Sequence, residues 1–257
     1  ARQAAPLERR AQAGRAERVA WAVFALAAAG LTALAIVDAP TFTGLFVEDG
    51  PFEYASALLY AIAAAACLVL AARARGRGRL RLWLAGLAAL FVFVGGEEVS
   101  WGQRIVGFGT PDELAAVNVQ GEFMLHNVWS NSLFVYPGLA VTAALLFVLP
   151  LLHRHNAVIR RLLDALEFPV APISSAALYG LAAACYAVVG LALGTPTPLP
   201  INWSNHLPHY DDEMLEFLIS ALFAIQALGS WRIAAAGGQE DAARADQARP
   251  GVAGTIA

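Results

Sequence analysis

The sequence predicts an all-α fold: a polytopic transmembrane helical bundle of six spans with both termini cytoplasmic. Three observations carry this. Hydrophobic residues make up 58% of the 257 and charged residues only 14%, against about 25% charged in an average soluble chain. Six apolar runs are each long enough to cross a bilayer at 1.5 Å rise per residue. The basic residues, all arginine, fall overwhelmingly on one side of the alternation those runs create: 16 of 17 in the inner segments and only Arg104 outside. That asymmetry sets the orientation by the positive-inside rule. The expected location is a bacterial inner membrane, crossed several times.

Residues 1–18 carry five arginines and read as a cytoplasmic arm or surface helix. The run 19–37 has the length of a span, and no small-x-small cleavage site follows it, which argues against a signal peptide. Pro51 opens the second span, 51–72, at the first helical position, where its missing N–H costs nothing. Five arginines between Arg73 and Arg81 then mark a basic turn. The third span, 82–101, ends in Gly95-Gly96-Glu97-Glu98-Val99-Ser100-Trp101-Gly102. An outer loop, 105–131, follows. Within it Thr110-Pro111-Asp112-Glu113 has the form of a helix start, with Thr110 as cap. Spans four to six cover 132–152, 173–193 and 211–231. Between the fourth and fifth, Ile159, Leu162, Leu163, Leu166 and Phe168 form an amphipathic stripe beside Arg160 and Arg161. The six spans make one domain, 19–235. The tail 236–257 has the composition of a disordered cytoplasmic segment. Cys67 and Cys185 lie within apolar spans and read as small buried hydrophobes.

The carboxylates divide opposite to the arginines: 13 of 20 fall on the outer side, together with His126, His206 and His209. Several have an ordinary explanation. Glu53, Glu213 and Glu216 lie in the first two turns of outward-starting helices, where a negative charge complements the dipole by about 0.3–1 kcal/mol. Glu97 and Glu98 do not fit it. They end a span, where the dipole opposes an anion, at a depth where a charge costs roughly 2.5–3.5 kcal/mol on insertion scales. A cation, a metal, a proton or a wet cavity must offset that. A Glu97–Arg104 pair, seven residues apart on a continuing helix, is one structural solution, and it leaves Glu98 unexplained.

Several ligand types recur at helical spacing. Glu122-x-x-x-His126 and His209-x-x-x-Glu213 each place a carboxylate and an imidazole on one helical face. A divalent metal, iron or zinc, held by Glu97, Glu98, Glu122, His126, His209 and Glu213 is the expected cofactor, with Glu53 and Glu216 as further candidates. In a hydrolytic reading Glu98 and His126 are the catalytic acid–base residues. There is no Gly-x-Ser-x-Gly elbow, phosphate-binding glycine loop or Cys-x-x-Cys. The basic turn reads as a topology signal and anionic-lipid contact, so the expected partners are membrane lipids, not nucleic acid.

The stretch Gly96-Glu97-Glu98-Val99-Ser100-Trp101-Gly102-Gln103-Arg104, followed by Asn118-Val-Gln-Gly-Glu122 and Leu125-His126-Asn127, resembles a group of uncharacterised bacterial multi-span inner-membrane proteins that share Gly-Glu-Glu-x-Ser-Trp-Gly-Gln-Arg. The likeness covers about 32 residues and implies the membrane setting without an activity. A weaker similarity is to the CAAX-type glutamate intramembrane proteases, whose pattern is Glu-Glu-x-x-x-Arg and Phe-x-x-x-His. Here five residues separate Glu98 from Arg104, and two separate Phe123 from His126. The functional expectation is an outward-facing, metal-binding Glu/His site acting on a lipid or membrane-soluble substrate. The alternatives are a non-catalytic accessory subunit of a membrane-protein complex and a glutamate-type hydrolase.

Overall fold

The structure, a computed structural model, describes residues 4–47, 50–118, 121, 123–125, 135–194, 210–229 and 231, with the backbone alone at 4–14, 104 and 135–136. Among the described residues the principal elements are helices: α1 Ala4–Val37, α2 Ala39–Leu45, α3 Pro51–Arg73, α4 Gly78–Glu98, α5 Gln103–Val106, α6 Asp112–Ala115, α7 Val135–Ala143, α8 Leu149–His155, α9 Ala157–Ala165, α10 Ile173–Leu193 and α11 Tyr210–Leu228. A π-helical turn, Ala144–Val148, joins α7 to α8.

Five described helices are long and apolar enough to cross a membrane: 15–37, 51–73, 78–98, 137–155 and 173–193. These overlap the first five expected spans, with ends that differ by up to five residues. The sixth expected span coincides with α11, whose first two turns hold Asp211, Asp212, Glu213 and Glu216. Those four charges set it apart by composition from the other five. Leu26, Val37, Leu58, Leu82 and Leu191 stand on the outside of the bundle with most of their surface bare. In water such a surface would aggregate; against lipid tails it is the ordinary exterior.

Helix α3 is central, packed on α4 on one side and on α11 on the other; α11 then meets α10, and α10 meets α1. The contact faces follow from sequence period. On α3 the buried side chains are Ser56, Tyr60, Ala63, Ala64, Cys67, Leu70 and Ala71, recurring at three and four residues. Small residues let the backbones approach, as membrane bundles require. Gly95 of α4 is such a case: a Cβ there would lie 3.0 Å from the Cβ of Tyr60 and 3.4 Å from the carbonyl oxygen of Ala57.

The bundle has an arginine-rich end and an acidic end. At the arginine-rich end, Glu167 follows α9 with a φ of 53° and reaches back across 87 residues to start α4. Its Oε2 accepts from the backbone N–H of Leu80 at 3.2 Å, and its Oε1 pairs with Arg77 at 3.1 Å. Leu80 is in the first turn of α4, where an N–H has no partner in its own helix. Arg79 donates to the carbonyl of Ala165 at 2.6 Å and the Trp83 indole to that of Leu166 at 3.0 Å. Partial burial pushes the Glu167 carboxyl up; the hydrogen bonds from Arg77 and Leu80 and the charges of Arg77 and Arg79 outweigh this and hold it below its usual value.

Three sequence expectations are corrected. The third span does not run to residue 101: α4 stops at Glu98, because Ser100, Trp101 and Gly102 all adopt positive φ, 47°, 54° and 76°. A right-handed helix cannot pass through left-handed residues. The continuous helix that would have put Glu97 and Arg104 on one face is therefore absent, and the side chain of Arg104 lies outside the described residues. Thr110 does not cap the loop helix. Pro111 occupies the cap position of the four-residue α6, and the Thr110 hydroxyl instead accepts from Gln103 Nε2 at 2.7 Å.

Candidate functional site

The two adjacent glutamates that end α4 have opposite fates. A helix turns about 100° per residue, so neighbours cannot share a face. Glu97 is buried and fully engaged. Its Oε1 accepts from the Trp101 indole N–H and its Oε2 from the backbone N–H of Leu125, each at 2.6 Å. The first bond needs the sharp left-handed turn after Glu98, which folds Trp101 back on α4. It also needs Gly96, where a Cβ would lie 2.9 Å from the indole ring. The second fixes the loop from 28 residues away.

Other side chains near the end of α4 and in the loop do similar work. The Gln103 side-chain oxygen accepts from the Phe123 backbone N–H at 2.7 Å, and the buried Asn118 amide donates to the Met124 carbonyl at 2.8 Å. Glu97, Trp101, Gln103 and Asn118 thus form a scaffold that pins residues 123–125 against the end of α4. Glu98 is left out of it.

Glu98 faces the other way, toward α3 and α11. It lies within electrostatic range of Glu53 and Glu213, and Glu216 is within range of all three and of Asp212. Four carboxyl groups from three helices are gathered at the acidic end. Carboxylates this close repel one another when they are charged. Excess charge in such a group has to be balanced by protons, by a cation, or by the N-terminal dipoles of α3 and α11 that open beside it. Glu216 keeps solvent-accessible surface. Asp212 turns to α10 and meets the Tyr186 hydroxyl.

An aromatic layer lies below the carboxylates. Tyr60, Phe91 and Phe223 have ring centroids 6.2, 4.9 and 6.5 Å apart. Each sits seven residues from a glutamate on its own helix: Glu53 and Tyr60, Phe91 and Glu98, Glu216 and Phe223. Seven residues are nearly two turns, so each pair shares a face and is separated by about 10 Å along the axis. This repeated spacing is the sequence signal that marks Glu53 and Glu216 as members of the group.

Of the six residues expected to bind a metal, the structure brings Glu98 and Glu213 together and separates Glu97 from them. Glu122, His126 and His209, with His206, lie outside the described residues. Among the described residues no three His, Cys, Asp or Glu side chains are placed to hold a metal ion. The donor set of the group is all carboxylate oxygen, a type that suits hard divalent cations, but its side chains do not converge on one point as they stand. No protein-family model, curated protein or solved structure matches the chain.

Proposed function

We propose that the chain is a multi-pass protein of a bacterial inner membrane whose outward-facing site, Glu53, Glu98, Glu213 and Glu216, exchanges protons for a divalent cation and serves a lipid or other membrane-soluble substrate. The observation that carries this reading is the meeting of four carboxyl groups from α3, α4 and α11 at one end of a membrane bundle. The outward orientation rests on the arginine asymmetry. Access from water is supported by the exposed surface of Glu216, and a membrane-soluble substrate by the apolar spans that carry the site.

Glu98 is the central residue. It alone lacks the helix-start explanation that covers Glu53 and Glu213, and it alone comes from a helix that ends at the site. In the catalytic form of the reading Glu98 holds and moves the proton, with His126 as its expected partner. Iron or zinc would draw on His126 and His209 as well as on carboxylates. Glu97 is no part of the proposed site.

The test is metal and proton stoichiometry on protein purified into lipid nanodiscs. Wild type loaded with manganese, zinc or ferrous iron is expected to retain an ion and to release protons on binding. Glu98→Gln and Glu216→Gln should lose both. Wild type that binds none of the three, or variants that bind unchanged, would overturn the reading.

A further inference from the structure

At the opposite end of the molecule the helix α9 lies between the spans 137–155 and 173–193. Its faces are cleanly divided. Arg160, Arg161 and Asp164 occupy one side. Val158, Ile159, Leu162 and Leu163 occupy the other, as a 100° step per residue requires. The apolar side is only half used. Leu163 is buried against the bundle, whereas Val158 is 73% and Leu162 52% exposed. In water an apolar half-face of this kind is unfavourable by roughly 25 cal/mol per Å².

The surroundings identify what covers it. Arg79 and Arg81 at the start of α4 and Arg154 at the end of α8 are exposed, as are Arg160 and Arg161. Two ties hold these elements as one surface. Arg79 bonds the Ala165 carbonyl, and His153 Nε2 meets Asp164 Oδ1 at 3.0 Å. The second tie occupies the one acidic side chain of α9. The result is an apolar strip bordered by arginines at the level where two spans leave the membrane.

We propose that this surface binds anionic phospholipid in the leaflet at the arginine-rich end. Val158 and Leu162 dip among the acyl chains, and Arg79, Arg81, Arg154, Arg160 and Arg161 hold the headgroup phosphates. A soluble protein partner would need no such placement between two spans. The helix is too short to span and matches the pattern of a segment lying in the interface. Arginine is suited to phosphate by its forked donors.

The experiment uses the full chain in nanodiscs of phosphatidylcholine alone or mixed equally with phosphatidylglycerol. A nitroxide on Leu162→Cys reports depth through collision with oxygen and with a water-soluble nickel chelate; Cys67 and Cys185 are buried. Native mass spectrometry counts retained lipid. The label is expected to sit in the acyl region, and phosphatidylglycerol is expected to be retained over phosphatidylcholine. In Arg160→Gln/Arg161→Gln that preference should fall roughly thirty-fold, while the label depth is kept. Inorganic phosphate in excess should not displace the lipid. A label exposed to the nickel chelate, an unchanged preference in the double variant, or displacement by free phosphate would each overturn the proposal. A variant that fails to insert is replaced by Arg154→Gln, which is subject to the same readouts.

Discussion

Glu97 and Glu98 are neighbours of identical chemistry, and the same substitution should destabilise the protein at the first and not at the second. Glu97 accepts two short N–H···O bonds, from Trp101 and Leu125, at a buried carboxylate. Hydrogen bonds to a charged group contribute about 1.5–3 kcal/mol each. In Glu97→Gln the amide oxygen can keep one of them, while the amide nitrogen points a donor at a donor. The expected net loss is about 2–4 kcal/mol, concentrated in the loop at 123–125. In Glu98→Gln nothing comparable is lost, and one of four mutually repelling carboxyl groups is removed, so stability should be unchanged or raised. Cys67 and Cys185 are both buried, so a thiol-reactive fluorophore follows thermal unfolding in detergent without engineering. Glu97→Gln should lower the midpoint by several degrees and Glu98→Gln should not. Equal loss in both variants would refute the division of the pair into a scaffold residue and a site residue.

Two further outcomes are expected. Gly96→Ala places a methyl group against the Trp101 ring and should cost about 1–3 kcal/mol; limited proteolysis should then cut the released loop, and Trp101→Ala in the same chain should relieve the clash without restoring the Glu97 bond. The Glu167 carboxyl titrates below its usual value near 4.5. Its contribution is therefore complete above that value and is lost as pH falls through the folded-state value. Wild type should be more stable than Glu167→Gln near neutrality, and the two thermal midpoints should meet in acid; a gap that persists there would exclude the assignment.

Much of the architecture is written in the sequence because bilayer crossing is a local demand. Apolar length placed 51–72 and 173–193 almost to the residue. Local rules failed where the backbone departed from them. Nothing in Val99-Ser100-Trp101 announces two non-glycine residues in the left-handed region, so the end of α4 was placed too late. The site was half legible. Composition found the acidic end and drew attention to Glu97-Glu98, yet it could not say which of the two faced the helices. That depends on a Leu125 N–H far along the chain. The spacing of seven between glutamate and aromatic on three separate helices was present all along, and it acquires meaning only when those helices are known to touch.

The bond from Glu167 to the first turn of α4 has a consequence for biosynthesis. A ribosome delivers Leu80 to the membrane 87 residues before the carboxylate that caps it. The α3–α4 hairpin must therefore enter the bilayer with its N-terminal amides met by water or by lipid headgroups, and exchange them later for the side chain. Anything that slows insertion of the segment after α8 would prolong that interval and leave the hairpin open to quality-control proteases.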